Sequence, residues 1–388
     1  MTNSNVSLDD KYSIESGRIF VTGVQALARI PMVQRQRDVL EGLNTAGFIS
    51  GYRGSPVGGF DQQLWRAKKF LEQNHIRFQP GLNEDLAASA IWGSQQTNLH
   101  EGGKYDGVFA IWYGKGPGVD RCGDVFKHGN MSGPAKHGGV LLIAGDDHAA
   151  KSSTVPHQSE YAFMDASIPV LNPAGLQDIV DYGILGFAMS RFSGCWVAFK
   201  TTAENMDSSA SIDVSPDRVK ISLPKFDMPE GGLSIRWPDD WIEQEHRLHQ
   251  YKLNAVRAFA RQNKIDKTII NSQNPKLGVV TTGKSYLDVR QALEDLGINE
   301  AKADKIGLRL YKVGMPWPLE PQGIDEFSQG LKEILVIEEK RPIIESQLKE
   351  HLYNHAPKNR PNVVGKYDDK GQFLQPAAGE LSPSLIAK

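Results

Sequence analysis

Phe78-Gln-Pro-Gly-Leu-Asn-Glu84, continuing as Asp85-Leu-Ala-Ala-Ser-Ala-Ile-Trp-Gly-Ser94, ends a strand and opens a helix. Asn83 is a natural N-cap, and Glu84 then lies in the first helical turn, where the positive end of the dipole favours an anion. Ala87, Ala88, Ala90, Gly93 and Ser94 are small enough to let another element approach closely. Outward from this joint, short apolar runs predict strands at Phe48 to Tyr52, Ile76 to Gln79, Val108 to Trp112, Val140 to Ala144, Pro169 to Leu171 and Trp196 to Phe199. Amphipathic spacing predicts helices at Gln34 to Ala46, Asp85 to Leu99, Arg121 to Met131 and Leu176 to Arg191. Strands of this length separated by helices imply right-handed βαβ units, hence an α/β fold with a parallel sheet and helices on both faces. A carboxylate at the C-terminal edge of such a sheet stands where these folds bind ligands.

This first domain is expected to span 1–224. The alternation stops near Pro224, and 225–275 reads as an aperiodic linker (Lys225 to Trp237) followed by a charged helix. Asp239 and Asp240 are candidate caps for that helix, which runs from Trp241 to about Asn263 with apolar positions at Leu248, Tyr251, Leu253, Val256 and Phe259. A second α/β block covers 276–366, with strands at Leu277 to Thr281, Leu308 to Val313 and Ile334 to Ile337, and helices at Tyr286 to Leu296 and Pro342 to His351. The tail, 367–388, returns to Gly, Pro and polar residues and is expected to connect to further domains downstream.

The 388 residues are 40% hydrophobic and 23% charged, the balance of a globular protein, and the formal net charge of −2 offers no basic field for nucleic acid. Two cysteines, Cys122 and Cys195, exclude a disulfide scaffold and a local four-thiolate cluster. The first ten residues lack a leader pattern and no apolar run is long enough to span a bilayer, so a cytoplasmic location without membrane contact is expected.

Several residues invite chemistry. Glu84 is either a ligand-facing acid or a plain helix-capping one. Arg53, before the Gly54-Ser55-Pro56 turn, suits a carboxylate partner or a solvated surface. Gly54 allows close backbone approach, and the Ser55 hydroxyl suits a keto or carboxylate oxygen. Gly114 to Gly118 is a Gly-rich turn whose amides suit an anion, with Arg121 in the first turn of the next helix; a simple tight turn is the alternative.

Taken together, Gly51-Tyr-Arg-Gly-Ser-Pro56, Gly58-Gly-Phe-Asp61, Asn83-Glu-Asp-Leu-Ala-Ala88, Trp92-Gly-Ser-Gln-Gln-Thr-Asn98, Gly114-Lys-Gly-Pro-Gly-Val-Asp-Arg121 and Asp124-Val-Phe-Lys-His-Gly-Asn130 resemble the N-terminal part of the indolepyruvate ferredoxin oxidoreductases, most closely their large fused type. The resemblance covers essentially the whole chain. It implies a thiamine-diphosphate pyrimidine-binding domain followed by a block similar to the C-terminal domain of transketolase. Glu84 would then activate the cofactor, with Asn83 and Gly54 beside it, and Arg53, Ser55, Pro56 and Arg121 would face the 2-oxo acid. A carboxylate on the pyrimidine nitrogen drives the tautomer that deprotonates the thiazolium, and it works best in a dry site.

The resemblance also implies oxidative decarboxylation of aryl pyruvates such as indolepyruvate to acyl-CoA, with ferredoxin or a similar acceptor, in a dimer. Only the pyrimidine half of the thiamine site would lie here. Mg2+, [4Fe-4S] clusters, the pyrophosphate-binding domain and the γ-type domain would lie downstream or on another chain, leaving this segment inactive alone. Alternatives are a non-catalytic assembly fragment of such a complex, or a related enzyme acting on pyruvate or branched-chain 2-oxo acids.

Other signals are set aside. Gly145-Asp-Asp147 with Asn172 superficially resembles a Gly-Asp-Gly…Asn magnesium and pyrophosphate motif, but Asp147 stands where glycine is wanted, and no protein metal ligand is assigned. His128, His137, His148 and His157 fall in a loop-rich region, and no histidine pair is read as having the spacing of a helical metal site such as His-Glu-x-x-His. Ser152, Ser153, His157 and Asp165 lack a Gly-x-Ser-x-Gly elbow. Gly114-Lys-Gly-Pro-Gly is too short for a dinucleotide fingerprint. Met315 to Glu320 and Glu338 to Pro342 read as rigid turns for packing or subunit contacts.

Overall fold

The computed structural model describes residues 7–388. In chain order the first strands are β1 (Arg18–Thr22), β2 (Ala46–Gly51), β3 (Ile76–Phe78), β4 (Val108–Lys115), β5 (Val140–Asp146), β6 (Val170–Leu171), β7 (Val197–Thr202) and β8 (Ser209–Asp213). The second block holds β9 (Lys267–Ile270), β10 (Leu277–Thr282), β11 (Leu308–Val313), β12 (Glu333–Ile337) and β13 (Asn362–Val364). Six strands form a wholly parallel sheet in the order β3-β2-β4-β5-β7-β6. Five form a second sheet, β13-β12-β10-β11-β9, parallel except for the edge strand β9. The α/β class expected from the alternating pattern is the fold observed.

The central strands read as unbroken apolar runs because both faces of the large sheet are covered. Side chains alternate between the two cores with the period of two that a strand imposes. Phe109, Ile111 and Tyr113 of β4, Leu141 and Ile143 of β5, and Val197 and Phe199 of β7 belong to one core. Ala110 and Trp112, Val140 and Leu142, and Trp196 and Ala198 belong to the other. On that second face Trp112 is fully buried and meets Phe126 edge-on, centroids 5.0 Å apart, so each of these rings contributes about 1.5–3 kcal/mol.

The helix Gly23–Leu40 crosses the first face beside Leu176–Ser193 and starts well before the expected Gln34, running through Pro31. Its middle is buried from Ala26 to Arg35, so packing outweighs the propensity cost of an internal proline. Asp38, fully buried, joins the two helices: Arg191 donates to it bidentately at 2.6 and 2.9 Å, and Gln34 and Thr45 donate at 2.8 and 2.6 Å.

The connections place the ligand crevice. From β2 the chain crosses the first face, through Phe60 and Leu64, to β3. From β3 it crosses the opposite face through the helix Glu84–Gln95, whose Ala87, Ala88 and Ile91 lie in the second core, to β4. Strand order therefore reverses at β2, and the carboxyl ends of β2 and β4 frame the opening that such sheets use for ligands.

The charged helix expected from Trp241 to about Asn263 is observed, after a stretch at 225–240 without helix or strand. Trp241–Arg247, a π turn at Leu248–Lys252, and Leu253–Gln262 form one helical run. Asp240 caps it by accepting from the Ile242 and Glu243 amides, while Asp239 pairs with Arg247. β9 then adds an antiparallel edge to the second sheet, a pairing no local pattern announces. The tail also folds back. Leu381 is buried against Val289 and Leu293, and its carbonyl accepts from the Lys284 ammonium at 2.7 Å.

The two sheets meet directly. The Val170 amide donates to the Trp317 carbonyl at 2.8 Å and the Asn172 amide to Gly314 at 2.9 Å. Around this seam His148 hydrogen-bonds Glu339, and Lys284 pairs with the same carboxylate at 3.2 Å. Burial alone would raise the Glu339 carboxyl, but His148 and Lys284 hold it down at about 2. Among the described residues no helix is long and apolar enough to cross a membrane.

Candidate functional site

Glu84 opens its helix as the sequence predicts. Asn83 takes an extended backbone and its Oδ1 accepts from the Leu86 amide at 2.8 Å, so this side chain holds the helix start in place. The approach to it is tied to the end of β2, with the Gln79 amide donating to Ile49 at 3.0 Å and the Gly81 amide to Gly51 at 2.8 Å. Trp112, inside β4, donates its indole N–H to the Glu84 carbonyl at 3.0 Å. The backbone at Glu84 is thus tied to both strands of the crevice.

Its side chain is 12% exposed and makes no hydrogen bond among the described residues; Arg121 Nε stands 3.9 Å from Oε2. It lies against Gly118, where a Cβ would come within 2.6 Å of the Glu84 Cγ and 3.0 Å of Oε1. Glycine at 118 is a space requirement imposed by the acid. This acid is held at a helix N-terminus, largely shielded from solvent, with no hydrogen-bond donor to its side chain among the described residues.

The Gly-rich segment departs from the expected tight turn. β4 extends to Lys115 and a helix starts at once, at Gly116–Arg121, with Pro117 suited to its first turn. Arg121 closes this short helix instead of opening the next, which runs Gly123–Ser132. The glycines make room for side chains. A Cβ at Gly114 would meet the Trp112 ring at 2.7 Å and one at Gly116 the His157 ring at 2.1 Å. On their Cβ sides these glycines are thus required by packing.

The other expected residues border the same crevice to different degrees. Gly54 packs on the Lys115 stem, with a Cβ there falling 2.9 Å from Lys115 Cδ, so the close approach it permits is to β4. Ser55 is exposed and its hydroxyl is unbonded among the described residues, while Pro56 is buried over Gly145 at the end of β5. Arg53 is exposed, and its charge partly offsets the burial that raises the Asp61 carboxyl.

His157 was not among the candidate ligands, and its place beside Gly116 is set by a distant loop that carries no local signal. Its Nε2 bonds Asp120 at 2.8 Å and its Nδ1 lies 3.7 Å from Asp146. Asp146 raises the imidazole above the usual histidine range, burial works against that, and Asp120 adds to the rise. The Gly145-Asp-Asp147 segment is committed to the protein. Asp146 accepts from the Ser159 amide at 2.8 Å and hydroxyl at 2.5 Å. Asp147 accepts from the Lys151 and Ser152 amides at 2.9 and 2.6 Å.

Residues 266–387 match the indolepyruvate ferredoxin oxidoreductase middle domain. The indolepyruvate oxidoreductase subunit IorA of Pyrococcus abyssi is 26% identical over 346 residues, covering 86% of this chain and 47% of that protein. The IorA of Methanothermobacter thermautotrophicus is 25% identical over 340 residues, covering 86% and 48%. The chain therefore spans about half the length of the curated relatives it matches. A solved 2-oxoglutarate:ferredoxin oxidoreductase from Magnetococcus marinus, with 2-oxoglutarate, coenzyme A and succinyl-CoA bound, superposes with a TM-score of 0.64 over 96% of this chain and 64% of its own, at 14% identity, a likeness of fold. The chain is thus similar to the indolepyruvate ferredoxin oxidoreductases, matching their middle domain over residues 266–387 and about half of their IorA subunit over most of its own length.

Proposed function

We propose that the chain forms part of a thiamine-diphosphate-dependent 2-oxo acid oxidoreductase and holds the pyrimidine half of the cofactor, with Glu84 as the activating carboxylate. The observation that carries this reading is the Glu84 side chain itself: 12% exposed and without a hydrogen-bond donor among the described residues. Its position at the strand-order reversal supports the same reading. Such an acceptor fits a protonated ring nitrogen, which a capping acid already bonded to its own helix would not. When bound, thiamine diphosphate supplies a carbon nucleophile that releases carbon dioxide from a 2-oxo acid.

This chain's residues would serve that chemistry as follows. Glu84 holds a proton between its carboxylate and the pyrimidine nitrogen, and Asn83 and Trp112 keep it there. Gly54 keeps the crevice rim close to β4. Ser55, with its free hydroxyl, Pro56, Arg53 and Arg121 face the 2-oxo acid, and the two arginines neutralise its carboxylate. Asp146 and Asp147 are bonded to their own loops, in keeping with a pyrophosphate and Mg2+ site on another domain or chain.

The complete enzyme would convert an aryl pyruvate such as indolepyruvate, with coenzyme A, to acyl-CoA and carbon dioxide. Two electrons would pass through [4Fe-4S] clusters outside this segment to ferredoxin, in a cytoplasmic dimer, and this chain would be inactive alone. The test is proton exchange at the thiazolium carbon, with thiamine diphosphate, Mg2+ and the remaining domains supplied. Glu84→Gln should slow it by two orders of magnitude or more, about 3 kcal/mol at 1.36 kcal/mol per decade. Exchange at the unmodified rate would remove Glu84 from the role.

A further inference from the structure

The five-stranded block carries a cluster of donors unrelated to the Glu84 crevice. Asp325 stands on the helix Pro321–Ser328, and His351 in the last turn of Ile344–Leu352. The His355 amide donates to the Leu352 carbonyl at 3.0 Å, continuing the coil so that His355 falls one turn beyond His351. This corrects the sequence expectation that no histidine pair has helical metal spacing: residues 351 and 355 are four apart at a helix end. The two helices pack in one core through Ile324, Phe327, Ile344 and Leu348, so the three side chains are held together at the surface above it.

We propose that Asp325, His351 and His355 form a binding site for a transition-metal ion of the zinc class. Their ligand atoms all lie within 4.8 Å of one another. His351 Nε2 is 2.7 Å and His355 Nε2 3.5 Å from the same Asp325 Oδ1. The imidazoles are 5.3 Å apart at 69°, splayed so that both ring nitrogens converge on that oxygen. Tetrahedral zinc, with bonds of about 2.0–2.1 Å, holds its donors roughly 3.3 Å apart. One pair here is therefore slightly too close and another nearly at the required spacing. The side chains are 29%, 32% and 42% exposed and have room to adjust by a few tenths of an ångström.

Two imidazoles and a carboxylate select zinc, nickel or copper over magnesium and calcium, which prefer all-oxygen shells. Three protein ligands leave a fourth position for water. The negative end of the Ile344–Leu352 helix favours a cation at this place. His351 also lines an open cleft of about 820 Å³, which gives an ion access. The bound ion would staple the helix before β12 to the helix after it.

The experiment uses the untagged 388-residue chain, stripped with chelator and titrated with Zn2+ in millimolar Mg2+. One Zn2+ per chain is expected, with His351→Ala and His355→Ala each weakening binding at least tenfold. His128→Ala, removing another histidine that stands four residues from an aspartate, should leave it unchanged. Melting in chelator checks that each variant folds. Independently, Co2+ added to the unmodified chain should give the strong visible bands of a four- or five-coordinate site. No stoichiometric Zn2+, Zn2+ bound equally well by both histidine variants, or only the weak spectrum of hydrated Co2+ would each overturn the assignment.

Discussion

Replacing Gly118 by alanine places a methyl group in the space that Glu84 occupies. The added carbon would lie 2.6 Å from Glu84 Cγ, 3.1 Å from Cδ and 3.0 Å from Oε1. Carbon atoms rest about 3.5–4.0 Å apart, so the acid must withdraw by about 1 Å. Two energies then separate. For the fold, overpacking costs about 1–3 kcal/mol, while alanine in the helix Gly116–Arg121 regains up to about 1 kcal/mol over glycine. The obstructing atoms belong to a side chain that can rotate, so the net loss should stay near or below 2 kcal/mol. For catalysis, a displacement of that size at the proposed activating group would cost on the order of 100-fold.

Gly118→Ala should therefore melt within several degrees of the unmodified chain, yet exchange the thiazolium proton about 100-fold more slowly in the reconstituted enzyme. Gly123→Ala, at a glycine with open space around its Cβ position, is the control and should change neither. Full exchange activity in Gly118→Ala would refute the reasoning that this acid must stand where it does. A large loss of stability would refute the claim that only a movable side chain is in the way.

Other outcomes follow from the buried charges. Arg191→Ala leaves the fully buried Asp38 carboxylate without its cation and should cost about 3–5 kcal/mol by denaturant unfolding; a loss under 1 kcal/mol would mean that Gln34 and Thr45 suffice. The seam between the sheets should be acid-sensitive through Glu339. Its folded carboxyl lies at about 2, below the ordinary 4.5, so its contribution, on the order of 3 kcal/mol, is fully present above about pH 4.5 and fades as pH falls toward 2. The stability difference between the unmodified chain and Glu339→Gln should shrink over that window; a difference constant down to pH 2.5 would contradict the depressed carboxyl. Glu84→Gln and the Zn2+ titration test the two proposed sites directly.

Strand–helix alternation is legible in this chain because its central strands are covered on both faces and so read as apolar runs. The start of the Glu84 helix is legible because capping is a contact over three residues: Asn83 reaches the Leu86 amide. The extent of the helix through Pro31, the edge strand β9 and the return of Leu381 to the core are settled by surfaces brought from far along the chain. The same division runs through the crevice. The Phe78–Glu84 joint and its acid are written locally, as are the glycines at 114, 116 and 118. That those glycines make way for Trp112, His157 and Glu84 depends on which strands lie side by side. Local backbone preference can specify a cap or a turn, but only the packed sheet decides which side chains compete for one volume and which carboxylate is left without a donor.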